Sequence, residues 1–565
     1  MILTALPQKR TESFKIDVTQ INNMKRRDLL KGLSLLPIGG ASVFPLQSVL
    51  AAQGSSSPAG PLVPGPRIFQ SIGVEPIINC MGTFTIIGGS LERPAVRAAM
   101  EAASKNFVQY DELAYGIGQR LADLTKAEWG MVSAGCAAGL KHVTAACVTG
   151  GNPEKLIRIP DLTGFEKTEV VCPRGSRNVY DHAIRNIGVK MINVETLEEL
   201  EHALGPKTAM VYLMSGEKDP FSVAAVAKLT RAKKVPLLVD AAAEDLTVPC
   251  IHLENGANVV AYSGGKALCG PQCSGILLGE KDILQSAWQA SAPHHGPGRD
   301  NKVGREEMIG ALAAIEAWVT FDHKAQWAKW LSYLDTVAKK LASIDSVKTT
   351  VREPEGLDNH SPALIISWDP GKLHITGEEM AEELGRNKPR IALSYGARRN
   401  APSEPGLTTI SITAGQMQPG EDKIVADRIY GVLMTQRSAK PDAMKAPAAN
   451  ISGRWDVQIT FYSSQSNYTW TLEQDGNWIQ GVHTGLFSTQ NITGTIEGTQ
   501  VKLRDRDRPP GDNLSFTFTG EVNGDTMSGS IYMVEYGTAT FTAARYKYKE
   551  ERTPIHVPGG PPLAT

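Results

Sequence analysis

From about residue 70 to 435, short apolar runs alternate with segments of helical length. The runs Lys155–Ile159, Glu169–Cys172, Lys190–Val194, Ala209–Met214, Pro236–Val239, Val259–Ser263 and Gly275–Leu278 predict strands. Pro94–Ser104, Gly118–Thr125, Ala137–Val148, Val179–Ile187, Leu197–Leu204 and Val223–Ala232 predict helices. Strands alternating with helices imply an α/β domain with a mainly parallel sheet covered on both faces. This large domain spans 70–345 and ends in long helices from 305, and residues 346–436 form a smaller α+β subdomain.

The pattern then changes. Residues 437–449, rich in Ala, Lys and Pro, read as a linker. From 450 to 547 short segments alternate apolar and polar positions and are broken by glycines, as in Gly453–Phe461, Tyr468–Gly476, Ile492–Gly498 and Leu514–Gly520. Period-two alternation with closely spaced turns predicts an antiparallel all-β barrel or sandwich. Trp455, Trp470, Trp478, Phe516 and Phe518 are its expected core aromatics. Residues 548–565 form a tail.

At the other end, Arg26 and Arg27 precede a mildly apolar stretch, Leu33–Leu50, that ends in small residues at Ala51-Ala52. That order predicts a twin-arginine export signal over 1–52, with Met24 as its natural start and a Ser/Pro/Gly linker over 53–69. The stretch holds Pro37, Gly39 and Gly40 and is too short for a spanning helix, so an exported, periplasmic protein is expected. Net charge is −1, with 42% hydrophobic and 21% charged residues. Neither nucleic acid nor an acidic membrane surface is favoured by that balance. Seven cysteines, without paired CxxC motifs, suggest neither a disulfide framework nor a metal site.

The chemistry lies in three places. Ser133-Ala-Gly-Cys-Ala-Ala-Gly139 is a small-residue turn opening a helix, the kind of N-terminus that holds a phosphate. Leu237-Leu-Val-Asp240 ends a buried strand in an acid, followed by Ala241, Ala242 and Ala243, small enough to lie beneath a ring. Ser263-Gly-Gly-Lys266 places a lysine just past the next strand, 26 positions after Asp240 (266 − 240), with Ser263 able to add a hydroxyl to the phosphate. An imine-forming lysine, an acid for a pyridine nitrogen and a phosphate cradle are what pyridoxal 5′-phosphate (PLP) asks of a protein.

These segments, with Ile78-Asn-Cys-Met-Gly82, Tyr180-Asp-His-Ala-Ile-Arg185, Lys266-Ala-Leu-Cys-Gly-Pro-Gln-Cys-Ser-Gly275 and Gly298-Arg-Asp-Asn-Lys302, resemble the bacterial selenocysteine synthase group over about 70–435. The resemblance implies an aspartate-aminotransferase-like, fold-type I PLP enzyme, with Lys266 as the Schiff-base lysine and Asp240 as the partner of the ring nitrogen. It also implies Gly135, Cys136, Ala137 and Ser263 at the phosphate, and Arg299 and Lys302 on an anionic substrate group. Many relatives carry a ring-stacking histidine where this chain reads Gly175-Ser-Arg-Asn178, which leaves Arg177, Tyr180 and His182 as candidates there. Selenocysteine synthases proper usually have an acid before the lysine, where this chain has Gly265, so the D-glucosaminate-6-phosphate ammonia-lyase branch is the better likeness.

The resemblance therefore implies a lyase that removes ammonia from a small 2-amino acid or amino-sugar acid. Racemase, aminotransferase, β-replacement and non-catalytic readings stay open. A homodimer or larger homo-oligomer is expected, as fold-type I sites form at subunit interfaces. The β-domain resembles lipocalin-like modules, with a role outside catalysis.

Overall fold

The computed structural model describes residues 60–216, 220–396, 404–439, 441, 443–505, 514–547 and 554. The expected export signal over 1–52, and the tail from 548 except residue 554, lie outside the described residues.

Seven strands build the large domain: β1 (Trp129–Ser133), β2 (Glu169–Pro173), β3 (Lys190–Val194), β4 (Thr208–Met214), β5 (Leu237–Asp240), β6 (Val259–Ser263) and β7 (Gly275–Gly279). Their order across the sheet is β1-β7-β6-β5-β4-β2-β3, and only β7 runs antiparallel to its neighbours. β5 is buried along its whole length between β4 and β6, which is why its apolar residues run continuously instead of alternating. The register sets Asp240 beside Met214 and Ala261, at the carboxyl edge of the sheet.

Two expectations fail here. Lys155–Ile159 is not a strand: the Asn152 side chain accepts the Glu154 N–H and caps a short helix, Pro153–Leu156. β1, unforeseen, fills the sheet edge against β7. Val179–Ile187, expected as one helix, is a 3-10 turn (Val179–Asp181) followed by a single helical turn, His182–Arg185.

Helix α1 (Cys136–Thr149) is buried on nearly every side, while α2 (Arg305–Val319) and α3 (His323–Leu341) lead into the small subdomain. There β8 (Val347–Arg352), β9 (Ala363–Trp368), β10 (Ser394–Tyr395) and β11 (Thr408–Thr413) pair in the order β10-β11-β9-β8. Their core, centred on Trp368, Leu364, Ile410 and Met380, is separate from that of the large sheet.

The C-terminal domain is a closed barrel of eight antiparallel strands: β12 (Gly453–Thr460), β13 (Gln465–Asp475), β14 (Trp478–Thr484), β15 (Thr489–Glu497), β16 (Gln500–Asp505), β17 (Thr517–Asn523), β18 (Thr526–Tyr532) and β19 (Thr538–Arg545). Closure through the β12–β19 pairing removes the exposed edges that a sandwich would keep. Alternation decides what fills it: Trp455, Val457 and Ile459 of β12 point inward and are buried, with Trp470, Phe516 and Phe518 beside them. Trp478 departs from the expectation and is 65% exposed at the start of β14. Among the described residues no helix is long and apolar enough to cross a membrane.

Candidate active site

Asp240 ends β5 with 2% of its surface exposed. The Tyr212 hydroxyl, from the neighbouring β4, donates to Oδ2 at 2.8 Å, and the Ala242 N–H donates to Oδ1 at 3.1 Å. The Cys136 thiol lies 3.8 Å from Oδ1. Burial pushes the carboxyl above its ordinary value, while these hydrogen bonds and the charge of Lys266 pull the other way. Acid and lysine thus feel each other in one dry site.

Lys266 sits in the turn after β6, held by Gly264 N–H to Ser274 O at 2.8 Å. A side chain at Gly264 would strike Ser274, and one at Gly265 would strike the backbone of Gln272. The two glycines before the lysine are demanded by this close approach, which leaves no room for an acidic side chain at Gly265.

The phosphate cradle forms opposite. Gly135 caps α1 with φ of 88°, a conformation that favours glycine, and no side chain accepts from the first-turn N–H groups of Cys136 and Ala137. Gly275, paired with Ser263 across β6 and β7, packs so closely that a Cβ there would lie 2.5 Å from the Gly135 carbonyl carbon. An uncapped helix N-terminus, a glycine-lined wall and a desolvated carboxylate bridged by Cys136 fit PLP. Gly135, Cys136, Ala137 and Ser263 would hold its phosphate, Ala242 its ring face and Asp240 its ring nitrogen.

Comparison with known proteins agrees. No family model matches the chain. A D-glucosaminate-6-phosphate ammonia lyase of Salmonella typhimurium (strain 14028s / SGSC 2262) is 32% identical over 303 residues, 51% of this chain and 79% of that protein. The chain belongs to this group of fold-type I PLP enzymes. A solved D-glucosaminate-6-phosphate ammonia-lyase structure superposes with a TM-score of 0.57 and 26% identity, covering 66% of this chain and 99% of the other. A 5′-C-glycyluridine monooxygenase-decarboxylase of a Streptomyces species is 27% identical over 341 residues, 58% of this chain and 83% of the relative. An L-seryl-tRNA(Sec) selenium transferase of Moorella thermoacetica is 29% identical over 281 residues, 43% of this chain and 56% of the relative. PLP is the cofactor of this enzyme group.

The remaining candidates divide. Tyr180 faces the site: burial raises its phenol first, and the charges of Asp240, Glu535 and Cys136 add to the shift. Glu535 belongs to the β18–β19 connection, so that end of the barrel stands within electrostatic reach of the site. Arg177 is corrected. Its Nε is 2.5 Å from the buried Asp181 carboxylate and its Nη1 donates to Asn193 at 2.9 Å, so the guanidinium braces the 177–185 turn instead of waiting for substrate. His182 is exposed at the start of the one-turn helix. Arg299 and Lys302 are exposed on the loop 291–304, away from the cleft wall described below. His294, on the same loop, packs on Trp288 and stands 3.3 Å from Asp111.

Two functional residues escaped sequence reasoning. Tyr212 is an apolar-looking position inside β4, and Asn178, whose amide donates to the Tyr212 oxygen at 2.9 Å, reads as an ordinary turn residue. No local pattern marks either one, because their partners come from other strands. Beside the site lies a cleft of about 1950 Å3 between the large domain and the small subdomain, walled by Ala243, Glu244, Ala267, Asp358, His360 and Tyr395 among others.

Proposed function

We propose that this enzyme is an ammonia-lyase for a 2-amino acid carrying a 3-hydroxyl, of the amino-sugar-acid kind, which it converts to a 2-oxo acid and ammonia. The single observation that carries the reading is the 32% identity spanning 79% of the D-glucosaminate-6-phosphate ammonia lyase. The site supports it. PLP, when bound, supplies an electron sink conjugated to the substrate α-carbon. Lys266, released from the cofactor as substrate binds, takes the α-proton on Nζ. Asp240 holds the proton on the ring nitrogen, and the Tyr212 hydroxyl keeps that carboxylate aimed and ionised. The buried position of Asp240 excludes water that would compete for it.

The test is product analysis with 2-amino-2-deoxy sugar acids, with and without a terminal phosphate, and with serine of either hand. Release of ammonia and 2-oxo acid in equal amounts supports a lyase. Racemised substrate, or an amine transferred to an added 2-oxo acid, overturns it.

Two further proposals concern the setting. A homodimer would carry Arg299 and Lys302 toward the partner's site as anion binders; their exposure at positions that do not line their own cleft supports this. An inactive mixture of Lys266→Ala and Arg299→Ala chains, where a hybrid dimer should regain one good site, would count against it. Export by the twin-arginine route rests on Arg26-Arg27 and the apolar stretch behind them. Arg26→Lys/Arg27→Lys should strand the enzyme in the cytoplasm on cell fractionation; unchanged export would refute the signal.

A further inference from the structure

The site so far has a base for the α-proton but no acid for the group that leaves. Hydroxide departs poorly without one. Of the carboxylates on the cleft wall, three gather where the chain leaves Asp240: Glu244, Asp245 and, bridged to them from the loop before β9, Asp358. Two of them are committed. Glu244 Oε2 is 2.6 Å from His252 Nε2, and both side chains are buried. Asp245 Oδ2 is 2.7 Å from Nδ1 of His360, whose ring is stacked on Trp327 with centroids 4.8 Å apart. Among the described residues the Asp358 carboxylate accepts a side-chain hydrogen bond only from the adjacent Asn359 amide, at 3.1 Å.

The backbone fixes where Asp358 stands. Asn359 N–H donates to Ala243 O at 2.8 Å, and Asp245 N–H donates to Leu357 O at 3.0 Å. Between those two bonds Glu244 and Asp358 form an isolated antiparallel bridge. A loop of the small subdomain is thereby stitched to the segment that continues directly from Asp240. Asp358 is exposed to the cleft and lies within the electrostatic reach of both Lys266 and Glu244. Burial first, and then the charge of Glu244, raise its carboxyl above the ordinary value and favour the protonated form, while the Asn359 hydrogen bond and the charge of Lys266 oppose them.

We propose that Asp358 is the general acid that protonates the departing 3-hydroxyl of the substrate. The inference rests on the lyase reading above. Lys266 takes the α-hydrogen as a proton, the C2–H electron pair becomes the C2–C3 double bond, and the C3–O bond breaks toward oxygen. Asp358 gives its proton to that oxygen, water leaves, and Asp358 remains as a carboxylate. The proton on Lys266 restores it through water in the cleft. The freed unsaturated amine tautomerises and takes up one water, giving 2-oxo acid and ammonia, so no oxidant or reductant is needed.

The experiment compares full-length PLP-loaded wild type and Asp358→Asn. PLP affinity by absorbance titration and Tm should be unchanged, which shows an intact fold and cofactor site. Exchange of the α-hydrogen in deuterated water, followed by NMR, should stay within about threefold. Release of 2-oxo acid from a 3-hydroxy substrate should fall by about 10²–10⁴-fold, the range of general acid catalysis. A 3-chloro amino acid, whose leaving group needs no proton, should lose less than about tenfold. Equal losses on both substrates, or no loss on either, overturn the proposal while leaving the lyase reading in place. Wild type that exchanges the α-hydrogen yet eliminates from no 3-hydroxy substrate overturns the lyase reading and the proposal with it.

Discussion

Tyr212 donates to Asp240 at 2.8 Å and receives the Asn178 amide at 2.9 Å, so a chain of hydrogen bonds ends on the acid proposed to serve the cofactor. Burial, and next the charge of Asp240, hold the Tyr212 phenol well above its ordinary value, so it stays a donor at every working pH. Removing that hydroxyl leaves a buried carboxylate short of one bond to a charged group, a loss of about 1.5–3 kcal/mol. Tyr212→Phe is therefore expected to fold and bind PLP, with kcat lower by about 10–100-fold. Steady-state kinetics at wild-type values would detach Tyr212 from the chemistry. At this scale Lys266 and Asp240 were singled out in sequence, since an acid and a lysine each closing a strand leave a local mark, and the structure sets those strand ends side by side. Tyr212 was not legible, for its role depends on β4 lying against β5.

Helix α1 carries the cradle at one end and a different constraint along its length. His142 is wholly buried there, and neither ring nitrogen has a hydrogen-bond partner among the described residues. Burial first, and then the charge of Lys141, push it down to about 3, with Asp300 opposing weakly. The folded chain thus keeps His142 neutral, while the unfolded chain protonates it below its ordinary value of about 6.5. Below that pH the unfolded state binds more protons, so stability present above about 6.5 is lost as pH falls toward about 3. The contribution is at most about 1.4 kcal/mol per pH unit. Urea unfolding between pH 7 and 4.5 should show this decline, and His142→Leu should flatten it. An unaltered slope in that variant would show that another group titrates. The helix itself was expected from its apolar run, whereas its burial on all sides follows from the sheet and neighbouring helices closing over it.

Over the whole molecule, three separate cores account for the domain plan: one around the seven-stranded sheet, one in the small subdomain and one inside the barrel. The barrel pairs all eight strands with one another and needs no strand from elsewhere. A chain ending at Ala439 is therefore expected to fold and to bind PLP, checked by circular dichroism and absorbance titration. Glu535 leaves with the barrel, so Tyr180 should ionise more readily and KM should change while kcat holds within about threefold. Loss of PLP from the shortened chain would make the barrel part of the catalytic assembly.

What the sequence by itself determined is the set of elements whose cause is local. Short apolar runs marked the strands β2 to β7, period-two alternation marked the barrel strands, and the small-residue turn at 133–139 marked the start of helix α1. Gly264 and Gly265 were visible as residues, but only the packing of Gln272 and Ser274 against them explains why nothing larger stands there. Tertiary structure alone decided the rest. It closed the β-domain as a barrel and set the Tyr212 hydroxyl of β4 against Asp240 of β5. It also brought Asp358, 92 positions past Lys266 (358 − 266), to the wall beside it. The physical reason is common to all of these. Periodicity records which face of an element is buried, but hydrogen bonds and charges between distant segments arise only when the chain has closed a volume from which water is gone.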